Sequence, residues 1–535
     1  MDREINIDSI RSLKEQIREH ERAAIKLKRT RNSLLNVSKL PPELLGEIFR
    51  LNIAPKSDFD GLDEGSHNFL LVCHHWFEVA SRTPDLWCFW GNNPKDWARW
   101  CRRPGTAPLD LILDDKYDDY DGGSFSTTLH NILQDRAAQD AIRRVHLLAG
   151  DPELLSSIIA SLSSDREDLR PNRIESFILR NQGGVSTDVS DFFAHYRFPK
   201  LQRLDLVDFK ISSWNHLTSR TSALTTLVLD SAPPSSIPTT SQLLSILASN
   251  PSLRKVELFG CAVPDDGGGK SSTRVQLHQL KKLQLEGGLR HVIGLLHRLD
   301  HPNNMDSLVL TLYDSNITSV LRLIIPYLRD HLQRRGKPQN GLNLSISSGY
   351  QIAYHEYYIG FQAGDTGGID RAEANTFVRI SIMLSEAPQK SVLERVALDL
   401  VACAPLEEVV SFRTSSNPVI VEGADTRFPN LRALSFNAIP LRTAFPNPEL
   451  IGDEKIFPSL ERVSLDPSGM DDGDWSPLMA FLAYRVSAGN RLDTLVIVGS
   501  HHMCRQVVED VRGMVRELKA DHLNPRCPSG ACRRR

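Results

Sequence analysis

Three things are scarce in this sequence, and each shortage removes a class of protein. No apolar run approaches the roughly 18 residues that a membrane-crossing helix needs, so no association with a membrane through a spanning segment is expected. Cysteines number eight in 535 residues. They stand at Cys73, Cys88, Cys101, Cys261, Cys403, Cys504, Cys527 and Cys532. Scattered this thinly, they argue against a disulfide framework and for free thiols in a reducing compartment, the cytoplasm or the nucleus. Charge imbalance is also small. A formal net charge of -3 sets up no global field toward nucleic acid or an anionic membrane. The opening stretch MDREINIDSIRSLKEQ is charged and has no apolar core of the kind a secretory signal carries.

Recognisable catalytic and ligand-binding patterns are equally scarce. Asp265-Asp-Gly-Gly-Gly-Lys-Ser-Ser resembles a phosphate loop, but Pro264 occupies the position where the first glycine is required. His501-His-Met-Cys504, Cys527 and Cys532 lack the paired spacing of a zinc site. The acidic run from Asp114 has no terminal glutamate to complete a calcium loop. No serine or cysteine nucleophile stands beside an evident base. The expectation is a chain that is not an enzyme, with no cofactor and no metal.

What is present is length and pattern. A chain of this size suits several domains or one elongated repeat array. Residues 1–36 read as an amphipathic helix. Ile10, Leu13, Ile17, Ala24, Leu27 and Leu34 fall on alternating three- and four-residue steps, the seam of a short coiled coil, with His20 and Arg31 as polar interruptions. That seam could pair with a second copy or pack against the rest of the chain.

Residues 37–90 form a denser block. Ser38-Lys-Leu-Pro-Pro-Glu-Leu-Leu-Gly-Glu-Ile-Phe-Arg-Leu51 is a helix start, with proline where its missing N–H costs nothing and Glu43 at the positive end. Leu40, Leu44, Ile48 and Leu51 make one apolar stripe. Leu45 and Phe49 make a second beside it. One stripe can pack inward while the other meets a partner; sequence does not say which. Leu71, Val72, Trp76 and Val79 then fit a second helix face, and Pro84-Asp-Leu-Trp87 closes the block.

The ordered set Leu40, Pro41, Glu43, Leu44 or Leu45, Ile48, Phe49, Leu71, Val72, Cys73, Trp76, Leu86 and Trp87 resembles the F-box family. The stretched loop from about 54 to 68 departs from that pattern. The resemblance covers roughly a tenth of the chain. It implies a small helical bundle that binds the Skp adaptor subunit, and through it a cullin–RING ligase. By the same resemblance, Leu40, Pro41, Leu44, Leu45, Ile48, Phe49, Leu71, Val72 and Trp76 are the candidate adaptor contacts.

Residues 91–520 repeat one grammar, apolar-x-x-apolar-x-apolar. Its eleven copies begin at Ile142, Ile174, Leu201, Leu224, Leu253, Leu280, Met305, Leu393, Leu431, Leu460 and Leu492. Phe198, Phe428 and Phe457 each lead a Phe-Pro-x-Leu run into a copy, and Asn250-Pro251 resembles them. The alternating half of the motif is a strand with one buried face, and helix-like stretches separate the copies. The spacing resembles a degenerate leucine-rich repeat, interrupted by an irregular insertion near 340–390. The outward strand positions include Arg144, Arg203, Lys255, Lys282, Arg395 and Arg462, a basic column suited to an acidic or phosphorylated protein client. Residues 521–535 read as a basic disordered tail.

The expected fold is α/β: an N-terminal helix, a helical F-box, and an irregular leucine-rich repeat solenoid, a curved parallel sheet with outer helices. The expected function is that of a substrate-recognition adaptor of a Skp–cullin–F-box ubiquitin ligase. A repeat scaffold that binds the adaptor without ubiquitination is the alternative, and an enzyme on an α/β fold a third reading.

Overall fold

The computed structural model describes residues 2–53, 68–87, 89–90, 108–114, 140–149, 173–181, 187–195, 198–230, 238–260, 274–302, 305–313, 317–335, 342–351, 356–365, 376–384, 390–415, 428–437, 445, 457–466, 475–498 and 505–520. The loop at 54–67, the glycine-rich run at 265–272, the His501–Cys504 run and the tail from 521 lie outside them. The architecture is mixed α/β. Two compact units divide the chain: Met1–Leu227 with Ser231–Ser236, and Val228–Asp230 with Ile237–Arg535. No helix among the described residues is long and apolar enough to cross a membrane.

The first unit opens with α1 (Asp2–Ser33), α2 (Pro42–Ile53) and α3 (His74–Arg82). Five strands follow in a parallel ladder: β1 (Phe89–Trp90), β2 (Leu109–Asp114), β3 (Ile142–Ala149), β4 (Ser176–Asn181) and then, past the short β5 (Thr187–Asp188), β6 (Arg203–Val207). β5 pairs separately with β7 (Phe209–Lys210). The repeated apolar positions sit in register: Val145 opposite Phe177 opposite Leu204, and Leu147 opposite Leu179 opposite Leu206. All six are buried, so the grammar read from sequence is the core-facing row of the sheet.

The boundary between the units falls inside β8 (Thr226–Asp230). The second unit continues with β9 (Lys255–Leu258), the small pair β10 (Val275–Gln276) and β12 (Leu299–Asp300), and the long strands β11 (Lys282–Gly288) and β13 (Ser307–Tyr313). β9, β11 and β13 are parallel neighbours in the same register, with Val256, Leu283 and Leu308 in one row. Helices carry the chain back between strands, as parallel pairing demands; Thr240–Ser249 and Ile317–Arg334 are two of them.

The insertion near 340–390 departs from simple succession. β14 (Leu342–Gln351), β15 (Glu356–Asp365) and β16 (Thr376–Leu384) form an antiparallel meander. β16 lies parallel beside β13, and β14 lies parallel beside β17 (Val409–Ser415). The meander therefore enters the sheet in reverse order, with β15 as its antiparallel centre. β18 (Ala433–Asn437), β19 (Arg462–Asp466), β20 (Thr494–Ile497) and β21 (Glu517–Ala520) then resume the parallel ladder.

Ten of the eleven predicted copies end in strands. The one at Leu393 does not. Lys390–Val401 is an α-helix, and Arg395 sits on it rather than on the sheet. The reason is periodicity. Val396, Ala397, Leu400 and Val401 are all buried, three- and four-residue steps that continue past the motif and outweigh its local alternation.

The turns before the strands have a common physical basis. The N–H of Leu201, Leu431 and Leu460 donates to the carbonyl of Phe198, Phe428 and Phe457, at 3.2, 3.2 and 3.1 Å. Leu253 does the same to Asn250 at 3.2 Å. Proline presets φ at the second position of all four turns, at 199, 251, 429 and 458, and the leading aromatic or asparagine is buried. At Phe457, φ is +47°, and the buried Arg485 braces the turn by donating to the carbonyls of Phe457 and Leu460, both at 2.7 Å.

Candidate functional site

The helical block resolves the ambiguity between its two stripes. Leu45 and Phe49 are 0% and 1% exposed and form a core with Phe69, Val79, Ala80, Leu86 and Trp87. Phe49 stacks on Phe69 with ring centroids 4.5 Å apart and meets Trp76 at 5.1 Å. Trp87 fastens the closing turn by donating from its indole N–H to the Ala80 carbonyl at 2.8 Å. Gly46 lets α2 approach the end of α3: a Cβ there would stand 3.3 Å from Thr83 Oγ1.

The other stripe faces outward. Leu44 is 53% exposed, Ile48 47% and Leu51 69%. Leu71, at 83%, and Val72 are exposed as well, at the entry to α3. The nine candidate contacts therefore divide. Pro41, Leu44, Ile48, Leu71 and Val72 are exposed and free to meet a partner. Leu40 and Trp76 are half-buried against the core. Leu45 and Phe49 are interior and are corrected from contacts to framework: a side chain with no accessible surface cannot touch a partner. Outward apolar residues on α2 cost solvation when left bare, and the faces of monomeric proteins seldom carry such clusters without use.

The outward face of the strands has a different chemistry. Arg144 lies between Asp110 and Ser176, and Arg203 is opposite Ser176 on the far side. Lys255 pairs with Lys282, and Arg462 sits between Ala433 and Thr494. Five of the six basic candidates thus occupy equivalent strand positions, and Arg395 does not.

Most of these cations share buried carboxylates. Asp110, fully buried, accepts two hydrogen bonds from Arg143 at 2.7 and 3.0 Å, and Arg144 lies 3.9 Å away. A bulge makes this possible: Leu109 pairs with Ile142 but Asp110 with Arg144, leaving Arg143 as the extra residue. Asp205 is bracketed by Arg180 at 3.0 Å and Arg203 at 3.4 Å. Glu257 is bracketed by Lys282 at 2.6 Å and Lys255 at 3.0 Å. Burial raises the Glu257 pKa, but the two ammonium groups outweigh it and hold the carboxyl below its ordinary value. Each cluster holds its cations in place through a carboxylate instead of leaving them to range on a free side chain. Asp205 and Glu257 were open to sequence reasoning, since each follows its basic residue by two and shares its face. Asp110 was not, because β2 lies outside the repeat grammar.

Elsewhere the titratable groups read as structural. His301 Nε2 and the Tyr327 hydroxyl are 2.7 Å apart, and Tyr327 stacks parallel to His331 at 6.2 Å. Burial, then the neighbouring His301 and Arg335, push His331 down to about 4. Cys403 is buried, and burial pushes its thiol up to about 11, away from reactivity. Among the described residues no group of three histidine, cysteine or carboxylate side chains is placed to hold a metal. Compared with known proteins, the chain matches no family model and no curated sequence.

Proposed function

We propose that this chain is a non-catalytic substrate-recognition adaptor of a Skp–cullin–F-box ubiquitin ligase. The observation that carries the reading is the split of the helical block into a closed aromatic core and an open apolar face at Leu44, Ile48, Leu71 and Val72. The residues that resemble the F-box family lie on both sides of that split, so the pattern supplies a fold and a docking face together. An amphipathic helix whose second stripe is uncovered suits a groove on a Skp-type subunit. The strand face then serves as the client surface. Its basic side chains, held in place on the strands at Arg144, Arg203, Lys255, Lys282 and Arg462, favour an acidic or phosphorylated segment over a neutral one.

The test is comparative capture. Proteins recovered with the intact chain are compared with those recovered with a chain whose Leu44 and Ile48 are both replaced by alanine. The reading expects a Skp-type subunit and a cullin with the first and neither with the second, while strand-face clients remain with both. Recovery of the Skp subunit with both chains would place docking elsewhere, and recovery with neither would remove the reading.

A further inference from the structure

Every residue of α1 from Ser9 to Arg31 is exposed. The seam is bare along its length: Ile10, Leu13, Ile17 and Leu27 all stand open, Leu27 at 72%. A long helix in water gains little from propensity alone and is held mainly by packing of its apolar face. α1 has no such packing within the described residues.

We infer that α1 pairs with α1 of a second copy of this chain as a short antiparallel coiled coil. The charge along the helix chooses both the partner and its direction. The stretch 23–33 carries Lys26, Lys28, Arg29 and Arg31 and no acid. The stretch 2–15 carries Asp2, Glu4, Asp8 and Glu15 among three basic residues. A parallel pair sets the two wholly basic ends side by side. An antiparallel pair sets each basic end along the acid-bearing end of the other and also opposes the helix dipoles.

The seam fits that direction over three heptads. With seam positions summing to 37, Ile10 meets Leu27 of the second copy, Leu13 meets Ala24, and Ile17 meets His20, so each polar or small residue faces a large apolar one. At the flank, Lys14 falls beside Glu21 of the second copy. The fourth heptad sets the basic stretch alongside the acid-bearing end of the second copy but adds no apolar pair, because Arg31 holds its seam position. Arg31 turns its guanidinium onto Asn32, at 3.0 and 3.2 Å, and the helix end from Arg29 to Ser33 borders a cleft with Cys73, His74, His75 and Glu78 of the α3 region. A helix pair of about 20 residues runs roughly 30 Å. Bare Leu and Ile side chains from both copies, with their flanks, bring the contact to about the 1,000 Å² that a specific interface needs.

The test uses the full chain in sedimentation across the micromolar range. The wild type should approach twice 60.0 kDa, and the Leu13→Glu/Ile17→Glu variant should stay at 60.0 kDa. His20→Leu should tighten the dimer by about tenfold or more, because it replaces the polar seam residue by a packing one. Under oxidation, Leu13→Cys with Ala24→Cys should give a dimer joined between residues 13 and 24, mapped by peptide mass, and Leu13→Cys alone should not. All the substituted positions are exposed, and circular dichroism checks that the fold is kept. A monomer throughout, a dimer indifferent to the glutamates, or a 13-to-13 cross-link overturns the inference. Loss of Skp-subunit capture leaves it untouched, because α1 and the face of α2 are separate surfaces.

Discussion

Replacing Phe49 by alanine should unfold the helical block, and replacing Leu44 by alanine should not. Phe49 has 1% of its surface exposed, and its ring stacks on Phe69 and tilts against Trp76. Removing a buried phenylalanine costs about 3–5 kcal/mol, and lost aromatic contacts lie within or above that range. A block of some fifty residues commands only about 2.5–7.5 kcal/mol in total, at roughly 0.05–0.15 kcal/mol per residue. Phe49→Ala therefore consumes most or all of the local stability. Leu44 is about half exposed already, so its truncation forfeits about 1 kcal/mol of folding stability. Amide hydrogen exchange read on α2 and α3 isolates this block from the strands. Phe49→Ala should bring those amides close to the unprotected rate, and Leu44→Ala should leave them protected to within about tenfold. Equal loss of protection in the two variants would refute the assignment of inner and outer stripes.

Three further outcomes follow from buried polar groups. His331 has its folded pKa lowered to about 4, below the ordinary value of 6.5. The unfolded chain therefore binds its proton first, and stability that is complete above about pH 6.5 falls by about 3 kcal/mol toward pH 4; chemical denaturation across that window, repeated on His331→Leu, should show the slope in the wild type and a flatter one in the variant. Glu257, held below its ordinary value by Lys282 and Lys255, contributes stability that is present above its unfolded pKa and lost as the pH falls through the lowered one; Glu257→Gln should remove that acid-side dependence and expose both lysines to faster amine labelling. Arg485→Met should cost about 2–3 kcal/mol, because it deprives the Phe457 turn of two donors to buried carbonyls, and thermal unfolding of the second unit should register it.

Much of the sheet was legible because its cause is local. Phe198-Pro-Lys-Leu201 sets a turn, and the alternation at Leu204 and Leu206 sets the buried face; both are visible in the nine residues from 198 to 206. Leu393 to Leu398 satisfied the same short pattern and still became helix, since the deciding residues, Leu400 and Val401, lie beyond it. The reversal of β14, β15 and β16 was not legible: strand-like runs at 341–346 and 377–382 stand out in the sequence, but pairing order depends on contacts between distant segments. At the candidate docking face, sequence identified the two stripes and could not rank them. Leu44 and Leu45 are adjacent and chemically alike, and the positions of Phe69, Val79, Ala80, Leu86 and Trp87, all farther along the chain, decide which one is covered. The basic column was half legible. Most of its cations lie on strands as read, but the buried Asp110 beside Arg144, and the bulged Arg143 that bonds it, involve a strand with no repeat signature.

The most direct test of the adaptor reading is calorimetric titration of the full chain with a purified Skp-type subunit, for the wild type and for Leu44→Ala/Ile48→Ala. About half of each side chain remains to be buried by a partner. That is worth about 2–3 kcal/mol for the two together, or roughly 30- to 150-fold in affinity. The account predicts saturable one-to-one binding by the wild type and a loss of that size in the variant, with α2 still protected from exchange. No binding by the wild type, or equal binding by both, would contradict it.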